Sequence, residues 1–303
     1  FRSDKYRRGE HAPCDVVFTD DIETDAKRRD FKCNAVYYEI ARGEFVDPLG
    51  GIRDIRDKII STTREADEVF SEDGLRLMRL AQLGFTPDFP TLFGAKFNAA
   101  LIGKISVERI FSELMLILHA DEKYGIPYAQ YNGLKVLQST DVLRYILPEL
   151  ALGDGMPQRA DFHDHDVLEH TLRTVKYADR RIRLAALLHD VGKPYCYRNF
   201  GNYHRHEIEG ARIAEEILTG LKAPNKVIKD TVALTRTHMY DLNNQTKESK
   251  IRAFIVENFA LYPRILLVKQ ADYSGCKDDL HVCPTVRRWT EIYDKMKAAR
   301  APF

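Results

Sequence analysis

An α+β fold is predicted for this chain, with strands confined to the first 60 residues and helices filling the rest. Three observations predict it. "CDVVF" (14–18) and "NAVYYEI" (34–40) are short runs rich in Val, Tyr and Ile, the composition of strands. From residue 71 onward apolar residues recur at helical spacing. Past residue 60 no strand signal of comparable strength appears.

Each element has a local reason. "DPLGG" (47–51) reads as a turn, with Pro setting φ and Gly free to take φ > 0. "SEDGLRLMRLAQL" reads as a helix opened by Ser71, Glu72 and Asp73, with Leu75, Leu77, Met78 and Leu80 on its apolar side. "SVERIFSELMLIL" (106–118) is a second amphipathic helix, with Ser106 placed to cap it. Residues 129–150 add one or two short helices, and "GDGMPQRADF" (153–162) reads as a linker. Further helices are expected at 164–179, 181–191, 206–221, 224–238, 248–258, 261–273 and 284–299.

Composition is that of an ordinary globular protein: 303 residues, 44% hydrophobic, 30% charged, with 46 Lys and Arg against 45 Asp and Glu. A net charge of +1 does not select nucleic acid as a partner, so any such surface must come from local clusters such as "KYRR" and "KRRD". No apolar run approaches the ~18 residues of a membrane span, and no signal-peptide pattern opens the chain. Five cysteines without CxxC spacing suggest reduced structural thiols. A cytoplasmic protein with no membrane partner is expected; its oligomeric state is not legible.

Two sets of residues carry chemistry. In the second half, His170 lies in "DVLEHTLRTV", His189 and Asp190 end "RLAALLHD", His206 opens "HEIEGARIAEEIL" and His238 ends "TVALTRTH". Asp272 sits inside the oily run "RILLVKQADYSG". A lone His on an apolar face is more often a hydrogen-bonded core residue. A mid-helix carboxylate among Ile, Leu and Val needs a partner, because burying it bare costs several kcal/mol or forces its protonation. Imidazole nitrogens with carboxylate oxygens suit a divalent cation, and a bound cation lowers the pKa of its water, making a nucleophile for phosphoesters.

This order, His170, His189-Asp190, Asp272, resembles the HD superfamily of metal-dependent phosphohydrolases over residues 165–275. The resemblance implies one divalent metal (Mn, Ni, Co, Mg or Fe) on His170, His189, Asp190 and Asp272. It implies that His206 and His238 serve a second metal or contact phosphate, and that Lys193 of "HDVGKP" faces the substrate.

In the first half, "KRRDFKCNA" (27–35) places two arginines, an Asp and an Asn beside a strand. Arginines give bidentate phosphate contacts, and Asp or Asn can bond a sugar hydroxyl. "DPLGGIRDIRDKII" (47–60) and "EDGLRLMR" (72–79) follow. In that order the three stretches resemble the class II tRNA nucleotidyltransferase and bacterial poly(A) polymerase family, and "ISVERIFSEL" (105–114) resembles its neck segment. The resemblance implies part of a nucleotidyltransferase mixed sheet, then an elongated all-α region. The corresponding domains are 1–65 (head), 66–152 (helical neck and body), 160–283 (HD domain) and 284–303 (a carboxyl-terminal helix from which the chain continues).

By the same resemblance Arg29 contacts a triphosphate, Asp30 and Asn34 the sugar, and Arg79 phosphate. Asp73 and Arg76, expected three apart on one helix face, read the base of CTP or ATP in place of a template. The implied activity is addition of C and A to tRNA 3′ ends with Mg²⁺, with poly(A) addition and HD-type phosphohydrolysis of phosphomonoesters or 2′,3′-cyclic phosphates as alternatives. Two departures stand out. The Gly-rich loop and DxD carboxylates that hold the Mg²⁺ are expected upstream of Phe1, and "FTDD" (18–21) does not replace them. After Arg79 the chain is about one helical turn shorter than the family pattern before "LAQLGF".

Overall fold

The computed structural model describes residues 1–5, 13–83 and 98–300, with the backbone alone at 300. They fall into two compact units, Phe1–Ile146 and Leu147–Phe303. Gly84 and Phe85 of "LAQLGF", and residues 6–8 of "KYRR", lie outside the described residues.

The first unit is α+β. Strands β1 (Arg2–Lys5) and β2 (Asp15–Phe18) pair antiparallel, Arg2 opposite Phe18. Strands β3 (Tyr37–Glu39) and β4 (Glu44–Val46) form a second antiparallel pair, Tyr37 opposite Val46. Asp21 of "FTDD" caps the helix Ile22–Lys27, its carboxylate accepting from Glu23 N and Thr24 N. That is the bland role open to a carboxylate at a helix start. The helices Ala66–Glu72, Leu75–Leu83, Val107–Leu118 and Ala129–Ser139 pack around Leu77, Met78, Leu114, Ile117 and Leu134, all at most 1% exposed. Ser106 stands at the start of its helix, but its hydroxyl makes no capping bond.

One expectation is corrected here. Ser71 and Glu72 end the helix Ala66–Glu72 instead of opening the next one, and Asp73 is extended, at φ −142° and ψ 108°. Asp73 and Arg76 therefore do not share a helix. The Asp73 carboxylate accepts from Leu75 N at 2.9 Å, and Gly74 follows it. A side chain that satisfies a free backbone N–H, next to a residue costing about 1 kcal/mol in a helix, breaks the helix there.

The second unit is helical, and among its described residues there is no strand. The segment 153–162, expected as a linker, is bonded into it. Val167 N donates to Met156 O, Leu168 N to Gly153 O, and Gly155 N to the Asp166 carboxylate. Helices Val167–Tyr177, Arg183–Leu188, His206–Gly220, Asn225–Thr237, Glu248–Glu257, Tyr262–Lys277 and Pro284–Arg300 fall near the expected positions. A helix not foreseen, Lys193–Phe200, begins straight after "HDVG", with Pro194 in its first turn, where a missing N–H costs nothing. The last helix is anchored by Trp289, fully buried, whose Nε1 donates to Asp241 and whose carbonyl accepts from the Tyr262 hydroxyl.

Two close backbone approaches build the metal-capable cluster. A Cβ on Gly192 would lie 2.2 Å from His206 O, so only Gly lets the "HDVG" turn pass against the start of the helix His206–Gly220. A Cβ on Gly275 would lie 2.5 Å from the Thr174 hydroxyl, so Gly lets Tyr262–Lys277 lie close along Val167–Tyr177. The first contact carries His189 and Asp190 to His206; the second carries Asp272 to His170.

Candidate functional site

The first unit holds a polar cavity of about 420 Å³. All six residues expected to contact a nucleotide, Arg29, Asp30, Asn34, Asp73, Arg76 and Arg79, line it. Arg28, the other arginine of "KRRD", lines it too, and Arg2, Pro13 and Arg109, which were not picked out from sequence, complete the lining. Arg109 is the Arg of "SVERIF", one turn into the helix Val107–Leu118; the resemblance of that stretch to the neck segment was its available signal.

The motif stretches are stitched together by backbone-directed bonds. The Thr63 hydroxyl donates to Arg29 O and Lys27 O, and Lys32 N donates to Ser61 O. Arg76, 3% exposed, donates from Nη1 to Val69 O and to the Glu72 carboxylate, both at 2.8 Å, and from Nη2 to Arg28 O at 2.9 Å. Its guanidinium plane is thereby locked beside the cavity. Asp30 accepts from Phe31 N and from the Asn34 amide, and its other oxygen pairs with Arg79 Nη2 at 3.0 Å.

Asp25 orders the arginine pair. It accepts from Arg28 Nε at 2.9 Å, from Arg29 Nη2 at 3.0 Å and from the Tyr37 hydroxyl at 2.7 Å. Burial pushes its pKa up, but these donors outweigh burial and hold it well below the usual carboxylate range. Burial, with the same contact, pushes Tyr37 up to about 12. Asp25 was not singled out from sequence, because a lone acid in a short helix carries no signal.

The second unit gathers every residue expected at a metal. His170 Nε2 lies 3.1 Å from Asp272 Oδ1 and 3.4 Å from Asp190 Oδ2. His189 Nε2 lies 3.2 Å from Asp190 Oδ2 and 3.3 Å from His170 Nε2. The other Asp190 oxygen, Oδ1, lies 3.1 Å from His206 Nε2 and 3.7 Å from His238 Nε2. His206 and His238 meet Nε2 to Nε2 at 3.2 Å. Lys193 Nζ sits 2.6 Å from Asp190 Oδ2 and 2.6 Å from Gln158 Oε1. Two ligand groups thus share Asp190, one oxygen facing each.

This set fits divalent cations. Nδ1 of His189, His206 and His238 contacts the carbonyls of Ala186, Tyr203 and Thr235 at 2.8, 2.7 and 2.6 Å. A carbonyl can only accept, so each Nδ1 carries a proton, and Nε2 is the inward nitrogen whose lone pair a cation would take in place of any proton there. Asp190 Oδ2 is buried, with Lys193 Nζ and the Nε2 atoms of His170 and His189 gathered around it. Burial pushes Asp190 and Asp272 up, yet His189 and Lys193 around the first, and His170 and His189 around the second, hold both well below the usual range. Burial pulls His189 down, and the two carboxylates lift it to about 10; burial leaves His238 lowered. The pocket is thus poised for positive charge.

His163 was missed. It lies in the polar stretch "DFHDHD", which has no periodicity, yet its ring stands edge-on to His170 with centroids 4.7 Å apart. Burial and the neighbouring His170 push its pKa down to about 4. Cys276 joins the same corner.

Comparison with known proteins agrees with both halves. The poly A polymerase head domain matches residues 1–61, the "probable RNA and SrmB-binding site of polymerase A" 84–152, and the HD domain 167–272. An A-adding tRNA nucleotidyltransferase of Deinococcus radiodurans is 31% identical over 86% of this chain and 62% of its own. A multifunctional CCA protein of Xanthomonas campestris is 29% identical over 72% of this chain and 55% of its own. The chain thus spans 62% or less of the length of these two relatives. In fold it resembles a crystal structure of the Bacillus stearothermophilus CCA-adding enzyme in complex with CTP, at TM-score 0.56 and 24% identity, covering 92% of this chain and 61% of that one. It resembles a CCA-adding enzyme in apo form II at TM-score 0.56 and 15% identity, covering 100% and 65%. Among the described residues no helix is long and apolar enough to cross a membrane. With all three segments matched in order, the chain belongs to the tRNA nucleotidyltransferase and poly(A) polymerase family and carries an HD domain in its second half.

Proposed function

We propose that this chain is the nucleotide-reading and HD-bearing part of an enzyme that adds C and A to tRNA 3′ ends from CTP and ATP without a template. The observation that carries the reading is convergence. Residues from "RRDF", "NA" and "EDGLR" are far apart in sequence, yet they line one cavity, with the buried Asp73 and Arg76 in its wall. In this reading Asp73 and Arg76 meet the Watson–Crick edge of the base. A base of the wrong pattern forfeits its hydrogen bonds to these buried groups, which costs about 1–3 kcal/mol. Arg29 and Arg79, both partly exposed, face the triphosphate, and Asp30 and Asn34 face the sugar. tRNA approaches through its sugar–phosphate backbone, so its binding weakens with salt. The head domain and the HD domain both imply divalent-metal dependence; Mg²⁺ for nucleotidyl transfer is part of this proposal.

Calorimetric titration of the purified protein with CTP and with ATP tests the reading. Saturable binding that Arg76→Ala weakens at least tenfold supports it. Binding that is absent for both nucleotides, or indifferent to Asp73→Asn and Arg76→Ala alike, removes it.

A second reading concerns the other unit, where Asp190 joins two ligand groups at once. His170, His189, Asp190 and Asp272 would hold one divalent cation, and His206 and His238, with the second Asp190 oxygen, another. A bound cation supplies an acidified water for attack on a phosphoester. Asp190 orients both groups, the Nδ1 carbonyl contacts fix the histidine tautomers, and Lys193 places a positive charge beside Asp190 for an incoming phosphate. Metal-stimulated hydrolysis of phosphomonoesters or 2′,3′-cyclic nucleotides, lost in Asp190→Ala, is the expected result. Mn²⁺, Ni²⁺, Co²⁺ and Mg²⁺ all failing to support turnover would exclude it.

A further inference from the structure

Neither reading uses His163 or Cys276, which form a corner with the far side of His170. The corner is held by the backbone: His163 N donates to Arg159 O at 3.0 Å, and Asp164 N donates to Cys276 O at 3.1 Å. One ring nitrogen of His163, one of His170 and the Cys276 sulfur lie within 4.8 Å of one another. His170 is fully buried, and its Nδ1 has no hydrogen-bond partner among the described residues; the His163 Nδ1 is likewise buried and unpartnered. In this respect His170 differs from its three neighbours, each of which gives its Nδ1 proton to a carbonyl. A buried imidazole nitrogen without a partner is uncommon, and two side by side call for a ligand.

The donor set names its class. A thiolate with two imidazoles suits a soft or borderline ion such as Zn²⁺ or Cd²⁺, and is a poor match for Mg²⁺ or Mn²⁺. A neutral imidazole has one lone pair and one proton. His170 can therefore offer Nε2 toward Asp190 and Asp272, or Nδ1 toward the thiol side, but not both. We propose that His163, His170 and Cys276 form a soft-cation site that competes with the Asp190 cluster for His170. On binding, the sulfur–metal bond forms as the Cys276 S–H proton leaves to solvent, the His170 proton passes from Nδ1 to Nε2, and nothing is oxidised or reduced.

Cd²⁺ titration of the purified full chain, followed by the ultraviolet thiolate-to-cadmium absorbance, tests this. The absorbance is expected to saturate stoichiometrically, to vanish in Cys276→Ser and to need at least tenfold more Cd²⁺ in His163→Asn. An absorbance that persists in Cys276→Ser, as when another thiol such as the exposed Cys14 binds, or that ignores His163→Asn, overturns the site. In the unsubstituted chain Cd²⁺ should protect Cys276 from alkylation, read by peptide mass spectrometry; no protection is equally fatal, and this arm needs no variant to fold. The competition is read separately, as Mn²⁺ released from the chain on Cd²⁺ addition. That arm rests on the HD reading, whereas the thiolate signal does not. Full Mn²⁺ retention at Cd²⁺ saturation overturns the sharing of His170.

Discussion

Asp30 and Arg79 meet in an ion pair, Oδ2 to Nη2 at 3.0 Å, although they are 49 positions apart along the chain. The pair ties "RRDF" to "EDGLRLMR" at the edge of the cavity. Arg79→Ala would leave a buried carboxylate without its cation, at a cost of about 1–3 kcal/mol. Chemical denaturation should show that loss, and nucleotide affinity should fall at least tenfold, about 1.4 kcal/mol. The double variant Asp30→Asn/Arg79→Ala should be less destabilised than the sum of its parts. Strict additivity would mean the contact is idle.

The contact of Gly275 with Thr174 makes a packing prediction. Gly275→Ala places a methyl 2.5 Å from the Thr174 hydroxyl and 2.8 Å from its backbone nitrogen. The two helices must separate, at a cost of roughly 1–3 kcal/mol. Asp272 then withdraws from His170, so divalent-metal affinity should fall along with the melting temperature. Thr174→Ala should recover little, because the backbone nitrogen remains in the way. An unchanged melting temperature would contradict the close approach.

Asp190 and Asp272 should differ when probed by metal titration. Asp190 touches both ligand groups, whereas Asp272 pairs, among the described residues, with His170 and His189. Asp190→Asn should weaken every bound Mn²⁺ at least tenfold. Asp272→Asn should weaken one class of site and spare the other, and His206→Ala should do the converse. Equal losses in all three variants would mean a single undivided site.

Acid should unfold the first unit partly through Asp25. Its folded-state pKa lies below its ordinary value of 3.8 because Tyr37, Arg28 and Arg29 outweigh the effect of burial. The unfolded chain therefore takes up this proton first as pH falls. The stabilisation is fully present above the unfolded value and is lost as pH drops toward the folded one. Asp25→Asn should cost about 1.5–3 kcal/mol at neutral pH, and its deficit against the unsubstituted protein should shrink steadily below pH ~4. A deficit independent of pH would show that the carboxylate charge does not matter.

Much of this was legible before any coordinates. The helices of the second unit announce themselves by periodicity, because each must turn an apolar side toward the same core. The residues that gather around Asp190 were marked by a local contradiction, polar side chains ending or interrupting oily helices. Asp73, by contrast, misled. Three acid-rich residues before Leu75 look like one helix start, and only the extended backbone at Asp73 shows that the first two finish the helix before it. The helix Lys193–Phe200 was hidden because its exposed Tyr195, Tyr197 and Phe200 give it no apolar face to read.

The sequence by itself determined which residues could bind a nucleotide or a cation, because that depends on side-chain chemistry and on spacing within one element. Only the tertiary structure decided that Arg109 and His163 stand among them, that Asp25 orders the arginine pair, that Asp190 turns one oxygen to each of two histidine pairs, and that His170 has a second nitrogen facing no acceptor among the described residues. The arrangement around Asp190 and His170 depends on backbones passing within van der Waals contact at Gly192 and Gly275. Contact between residues distant along the chain leaves no periodic trace in it.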